Sequence, residues 1–175
     1  MNNIKRKRII ILTPIILIII IGVSISVLPW CRDIDITLSG IQFKTGDAEY
    51  TEEKTINIRG RYWRYLFKND RFEGRIEVEG YDFTFDERMW PVKLSFDNSR
   101  DGRSSFLSYD GTANGRFLDG VTWLIFSEPD FSEILIIPYG GGGEDTIFIS
   151  APANNRAEAI DIIADLAGSW INHFK

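Results

Sequence analysis

The stretch Phe72-Glu73-Gly74-Arg75-Ile76-Glu77-Val78-Glu79-Gly80 decides the fold. Phe72, Gly74, Ile76 and Val78 fall on one side of an extended chain, and Glu73, Arg75, Glu77 and Glu79 on the other. Side chains alternate across a strand, so this segment has one dry face and one wet face. Just upstream, over 55–67, Ile56, Ile58 and Tyr62 alternate with Asn57, Arg59 and Arg61. Lys68-Asn69-Asp70-Arg71 is a polar turn between the two segments, which makes them an antiparallel hairpin. Gly60 is expected to mark a bulge or a close approach of strands.

The same period continues outward in both directions. Ile34, Ile36 and Leu38 share a face over 33–43. After Gly80 the parity reverses: Tyr81, Phe83 and Phe85 alternate with Asp82, Thr84 and Asp86. A one-residue slip exchanges the faces of a strand, so a bulge near Gly80 is expected, with the strand running on. Val92, Leu94 and Phe96 predict a short strand, and 103–110 another, with Asp110-Gly111 opening a turn. The segment 117–126 carries apolar residues on both faces, and 131–137 is almost continuously apolar, so both read as central strands. A last strand is expected at 146–150.

The chain closes with a helix over about 154–174. Asn155 suits its N-cap and Glu158 stands at capping-box spacing. Ile160, Ile163, Ala164, Ala167, Trp170, Ile171 and Phe174 form the expected buried stripe. About eight strands with short sequential connections, then one helix, predict an antiparallel up-and-down meander. The expected architecture is a curved sheet or a lipocalin-like barrel with the C-terminal helix packed on it. The likeness is one of layout and carries no function.

Ahead of the β region lies a run without charge, 9–28, in which 15 of 20 residues are Ile, Leu or Val. As a helix it is about 30 Å long, the thickness of a bilayer core. Lys5-Arg6-Lys7-Arg8 precedes it, with no matching positive excess after it. The expectation is therefore a cytoplasmic basic tail (1–8), a single transmembrane anchor (9–29) with Trp30 at its interface, and an outward-facing domain (33–175). A cleaved signal peptide, releasing a secreted domain, is the alternative; the length of the run and the lack of Ala-x-Ala argue against it. Lipidation of Cys31 would require small residues where Pro29 and Trp30 stand.

Beyond the tail, 16 basic residues face 25 acidic ones, a net charge of −9. That excludes nucleic acid as a partner. One cysteine, Cys31, rules out an internal disulfide, and one histidine, His173, leaves no His-based metal cluster. Three candidate sites remain. Asp97, Ser99 and Asp101, ahead of Gly102, place oxygens as a calcium loop does, but Ser108 stands where the acidic twelfth ligand belongs. Trp63, Tyr65, Trp90 and Trp123 are candidates for stacking a glycan or lining an apolar pocket for a small ligand, although a content of 13% aromatic residues also simply fills a β core. Asp82, Asp86 and Glu87 cluster at a strand end and are the candidates for carboxylate catalysis. The segment 140–143 is not a phosphate loop, because Glu144-Asp145 follows it.

No cofactor is implied. The expected function is a membrane-anchored, extracytoplasmic binding or interaction module without enzymatic activity, its ligand a protein, a glycan or a small apolar molecule. The alternatives are a hydrolase of envelope polymers using a carboxylate pair, and a structural or assembly subunit of a membrane complex.

Overall fold

Eight strands and one helix follow each other in a computed structural model that describes residues 16–17, 22, 28–96, 104–113, 116–138 and 146–168. The strands are β1 (Trp30–Lys44), β2 (Thr51–Arg64), β3 (Asp70–Val78), β4 (Val92–Phe96), β5 (Ser104–Ala113), β6 (Arg116–Ser127), β7 (Ile134–Pro138) and β8 (Ile147–Ala151). A short 3-10 helix (Asp82–Phe85) joins β3 to β4, and α1 (Arg156–Ala167) ends the described chain. All pairings are antiparallel, in the order β4-β3-β2-β1-β8-β7-β6-β5. The open ends of this sheet approach each other. Ser95 N donates to Ser105 Oγ at 3.0 Å, Trp90 N donates to the Asp110 carbonyl at 2.7 Å, and Met89 bridges Gly111. The meander therefore comes almost full circle, as a nearly closed barrel with each strand beside its sequence neighbour.

The hairpin reading holds, but its turn spans 65–69, since β2 ends at Arg64 and Asp70 and Arg71 already belong to β3. Ile56, Ile58, Tyr62, Phe72, Ile76 and Val78 are buried inside, while Arg59 and Arg61 pair with Asp35 and Asp33, directly opposite on β1, at 3.1 and 3.3 Å. Gly60 marks a close approach and no bulge, since the register runs through it unbroken. It faces Gly74, and a Cβ added at Gly60 would stand 2.6 Å from Gly74 Cα and 2.9 Å from the Phe72 ring.

Three expectations about the strands change. First, β3 stops at Val78 and does not bulge onward. Gly80 turns the chain at φ 83°, a conformation glycine adopts freely. Thr84 Oγ1 then accepts from Val78 N at 3.0 Å and donates to the Tyr81 carbonyl at 2.8 Å, so a hydroxyl takes the place of a neighbouring strand. Second, Asp110-Gly111 is a register shift inside β5, not a turn; the strand continues to Ala113. Third, Phe131 precedes β7 in a loop, at φ 58° and fully buried.

The barrel has two apolar clusters. The interior holds Ile34, Ile58, Phe72, Leu94, Leu107, Trp123, Ile136 and their neighbours. A second layer lies outside, where α1 covers Ile41, Phe43, Leu135, Ile137 and Phe148. Asn155 caps α1 by accepting from Glu158 N at 3.0 Å, and Glu158 returns the contact to Asn154 N at 2.8 Å. Among the described residues the buried stripe is Ala159, Ile162, Ile163, Leu166 and Ala167; the expected Trp170, Ile171 and Phe174 lie outside them. Ile160 and Ala164, expected inside, face out.

Among the described residues no helix is long and apolar enough to cross a membrane. The expected tail and anchor, 1–8 and 9–29, lie outside the described residues except for 16–17, 22, 28 and 29, of which Ile16, Leu17 and Gly22 are helical. Asp97, Ser99 and Asp101 of the calcium candidate, the segment 140–143 and His173 also lie outside them.

Candidate functional site

Among the described residues, apolar and aromatic side chains occupy the interior of the barrel from one end to the other. At the end where β1 begins, Phe131 packs edge-on against Phe72, Phe96 and Tyr62, with centroids 4.9, 6.0 and 6.1 Å away. Tyr62 donates from its hydroxyl to Asp70 at 2.8 Å, and Asp70 also accepts from Tyr65 N at 2.9 Å. At the other end, Tyr81 and Phe83 swing in from the 3-10 segment and meet Trp123 at 4.9 and 5.4 Å. Tyr109 completes this group and donates to the Ile76 carbonyl at 2.8 Å; burial pushes its phenol up. A lipocalin-like calyx needs an empty core, and these side chains fill it.

Two polar features mark the ends of the barrel, one at each end. Beside Tyr81, the inward positions of β1 and β2 turn polar. Tyr81 donates to Gln42 Oε1 at 2.9 Å, and Gln42 Nε2 donates to Tyr50 and to Glu52. Lys54, 6% exposed, donates to Glu52 Oε1 at 2.6 Å. The Lys54 hydrogen bond holds the Glu52 carboxyl below its usual range, with Tyr50 assisting and burial opposing. Burial, then the nearby Tyr50 and Glu52, pushes the Tyr81 phenol up to about 12. Glu52 is therefore ionised and Tyr81 protonated near neutral pH, so neither is poised to exchange a proton there. The network serves as a satisfied polar lid for this end of the barrel. The sequence reading missed it because its first two strands stop at 43 and resume at 55, short of Tyr50, Glu52 and Lys54. The available signal was Lys54 itself, a charge in phase with Ile56 and Ile58.

At the opposite end a groove of about 720 Å³ opens beside the start of β1. Trp30, Cys31, Arg32 and Arg64 form one bank, and Glu128, Asp130 and Glu133 the other. It exists because β8 is short: among the described residues it pairs with β1 only over 41–44, leaving the first part of β1 without a strand on that side. The β6–β7 loop lies across this gap, tied by Arg32 Nη2 donating to the Pro129 carbonyl at 2.6 Å, while the Arg32 guanidinium sits 5.4 Å from the Tyr62 ring centre. Asp130 is lowered first by the Ser132 hydroxyl and amide and, more weakly, by Arg32. Opposite charges face each other across an open channel that suits a polar partner.

The sequence-derived candidates are dispersed. Trp63 and Tyr65 do come together, lining an outer groove of about 410 Å³ with Arg71 and Lys93. Trp90, 49% exposed, lies in a separate groove with Asp110. Trp123 belongs to the interior aromatic group. Of the carboxylates, Asp82 lies on the 3-10 helix, and Asp86 is clasped by Arg88, with Nη2–Oδ2 at 2.6 Å. That hydrogen bond holds Asp86 down to about 2. Asp86 therefore carries no proton to give near neutral pH, and Glu87 stands exposed beside it. Among the described residues no three of His, Cys, Asp and Glu gather where they could hold a metal ion.

No family model matches the chain, and neither does any curated protein or solved structure.

Proposed function

We propose that this chain is a membrane-tethered, outward-facing interaction module that binds its partner on the barrel's outer surface, in the groove beside its tether, and performs no chemistry. The observation that carries this reading is the filled interior: Phe131 closes one end and Tyr81 and Phe83 the other, while the 720 Å³ groove lies outside. Engagement of Asp86 by Arg88 and of Glu52 by Lys54 supports a binding role over carboxylate catalysis. The tether rests on the apolar run 9–28 and the charges before it.

Cys31 is exposed, lines the groove and is the sole cysteine, so it reports on both parts of the proposal. A membrane-impermeant maleimide added to intact cells is expected to label Cys31, in protein that alkaline carbonate leaves with the membranes. Labelling only after lysis would refute the orientation. A photoreactive maleimide on Cys31 is expected to give a cross-linked product of discrete mass, lost when Glu133→Lys reverses one bank of the groove. The absence of any such product in cells would remove the groove from the proposal.

A further inference from the structure

The exposed large apolar residues are unevenly placed, and four of them gather where the barrel meets the tether. Leu28, Trp30, Leu66 and Phe67 are 64, 67, 61 and 75% exposed. Trp30 pairs in register with Arg64, which leads into the β2–β3 turn. Leu28, Trp30, Arg64, Tyr65 and Leu66 together line one recess of about 160 Å³. We propose that this hairpin tip, Leu66 and Phe67 with Leu28 and Trp30, is seated in the headgroup layer of the same bilayer that holds the tether, so that the barrel docks on lipid and does not swing freely. This rests on the tether proposed above.

Chain continuity selects lipid as the occupant. The apolar run ends at Leu28, and two residues of extended chain span at most about 7 Å, which keeps Trp30 at the bilayer boundary. The recess shared by Trp30 and Leu66 brings the hairpin tip to that same level. Side-chain chemistry agrees. Aromatic rings favour the interface, and Trp30 and Tyr65 line the recess with Leu28 and Leu66, next to the exposed Phe67 in the chain. The domain is acidic as a whole, yet the hairpin tip, 64–71, carries Arg64, Lys68 and Arg71 against one acid, Asp70, which is buried and bonded to Tyr62 and Tyr65. Cations beside exposed apolar groups suit an anionic leaflet. The β6–β7 loop at the same end carries Glu128, Asp130 and Glu133 and is expected to stay in water, so the barrel leans toward its hairpin side.

Depth-dependent quenching tests this in the full chain, reconstituted in vesicles of phosphatidylcholine and phosphatidylglycerol with brominated acyl chains and no other protein. In a Cys31→Ser background, single cysteines are placed by Leu66→Cys, Phe67→Cys, Ser132→Cys, Phe106→Cys and Ile20→Cys and labelled with an environment-sensitive fluorophore. Labels at 66 and 67 are expected to be blue-shifted and quenched several-fold more than the label at 106, which sits on an exposed outer face. The label at 132 should match the one at 106. Labels at 66 and 67 no more quenched than at 106 would overturn the seating, and quenching at 132 equal to that at 67 would overturn hairpin-first docking. The label at 20 separates the two proposals: if it escapes quenching the tether itself fails, whereas quenching at 20 without quenching at 66 and 67 defeats the seating alone.

Discussion

β3 and β7 belong to one antiparallel barrel, and their sequences obey different rules. Along β3 buried and open positions alternate, with Phe72, Ile76 and Val78 inside and Glu73 in water. Along β7, Ile134, Leu135, Ile136 and Ile137 are all buried. The backbone is equivalent; what differs is the cover. The outer face of β3 is bare, whereas α1 lies over the outer face of β7, β8 and the end of β1. A strand reads as alternating only where one of its faces meets water.

The covered wall should therefore be the costlier one to damage. Ile163→Asp puts a charge between α1 and the barrel and is expected to abolish cooperative unfolding or cost more than ~3 kcal/mol in denaturant melts. Ile160→Asp, one turn-face away and 48% exposed, should stay within ~0.5 kcal/mol. Equal effects from the two would break the distinction between covered and bare surface. Leu135→Ala, fully buried beneath α1, should cost ~2–5 kcal/mol. On the bare wall, Glu73→Ala removes only an exposed pair with Lys93 at 3.6 Å and should change stability by less than ~1 kcal/mol. Asn155→Ala removes the cap of the covering helix and should cost ~1 kcal/mol, with both strands otherwise intact.

Smaller again is the response to pH, which involves the rims and neither wall. The Asp86 carboxyl is depressed from 3.8 to about 2, so its contribution is complete above the ordinary value and is lost as pH falls toward 2. Glu52 acts in the same direction, weakening the polar lid as pH falls below the usual carboxylate range. Tyr81 is raised from 10.0 to about 12, so its contribution is present below 10 and lost as pH rises through 12. A melting temperature that is flat through neutral pH and declines at both extremes is expected. Tyr81→Phe should soften the alkaline decline.

Much of this was legible because it is local. Strand parity in β2, β3 and β4, the Asn155 cap and the apolar run of β7 each follow from residues close in sequence. The errors arise where a distant contact decides. Tyr81 and Phe83 alternate as a strand would, but Thr84 captures the backbone of Val78 and turns both rings into the barrel. In α1 the apolar residues extend more than halfway round, so its own pattern leaves the rotation open. The wall of Ile41, Phe43, Leu135, Ile137 and Phe148 selects Ile162 and Leu166 over Ile160 and Ala164. Aromatic composition could not tell Trp123, in the core, from Trp63, in an outer groove with Tyr65. The channel beside β1 was invisible, since it depends on β8 being too short to line the full length of its neighbour.

The sequence by itself determined the strands, their order and the acidic, disulfide-free character of the domain, because period, turn residues and composition are properties of short segments. Only the tertiary structure decided that the meander comes round on itself, that aromatic side chains from two loops fill its ends, and that concave surface is left outside. Those outcomes depend on which faces meet after the chain has returned over a hundred residues, where volume and register, and no local preference, fix what is buried.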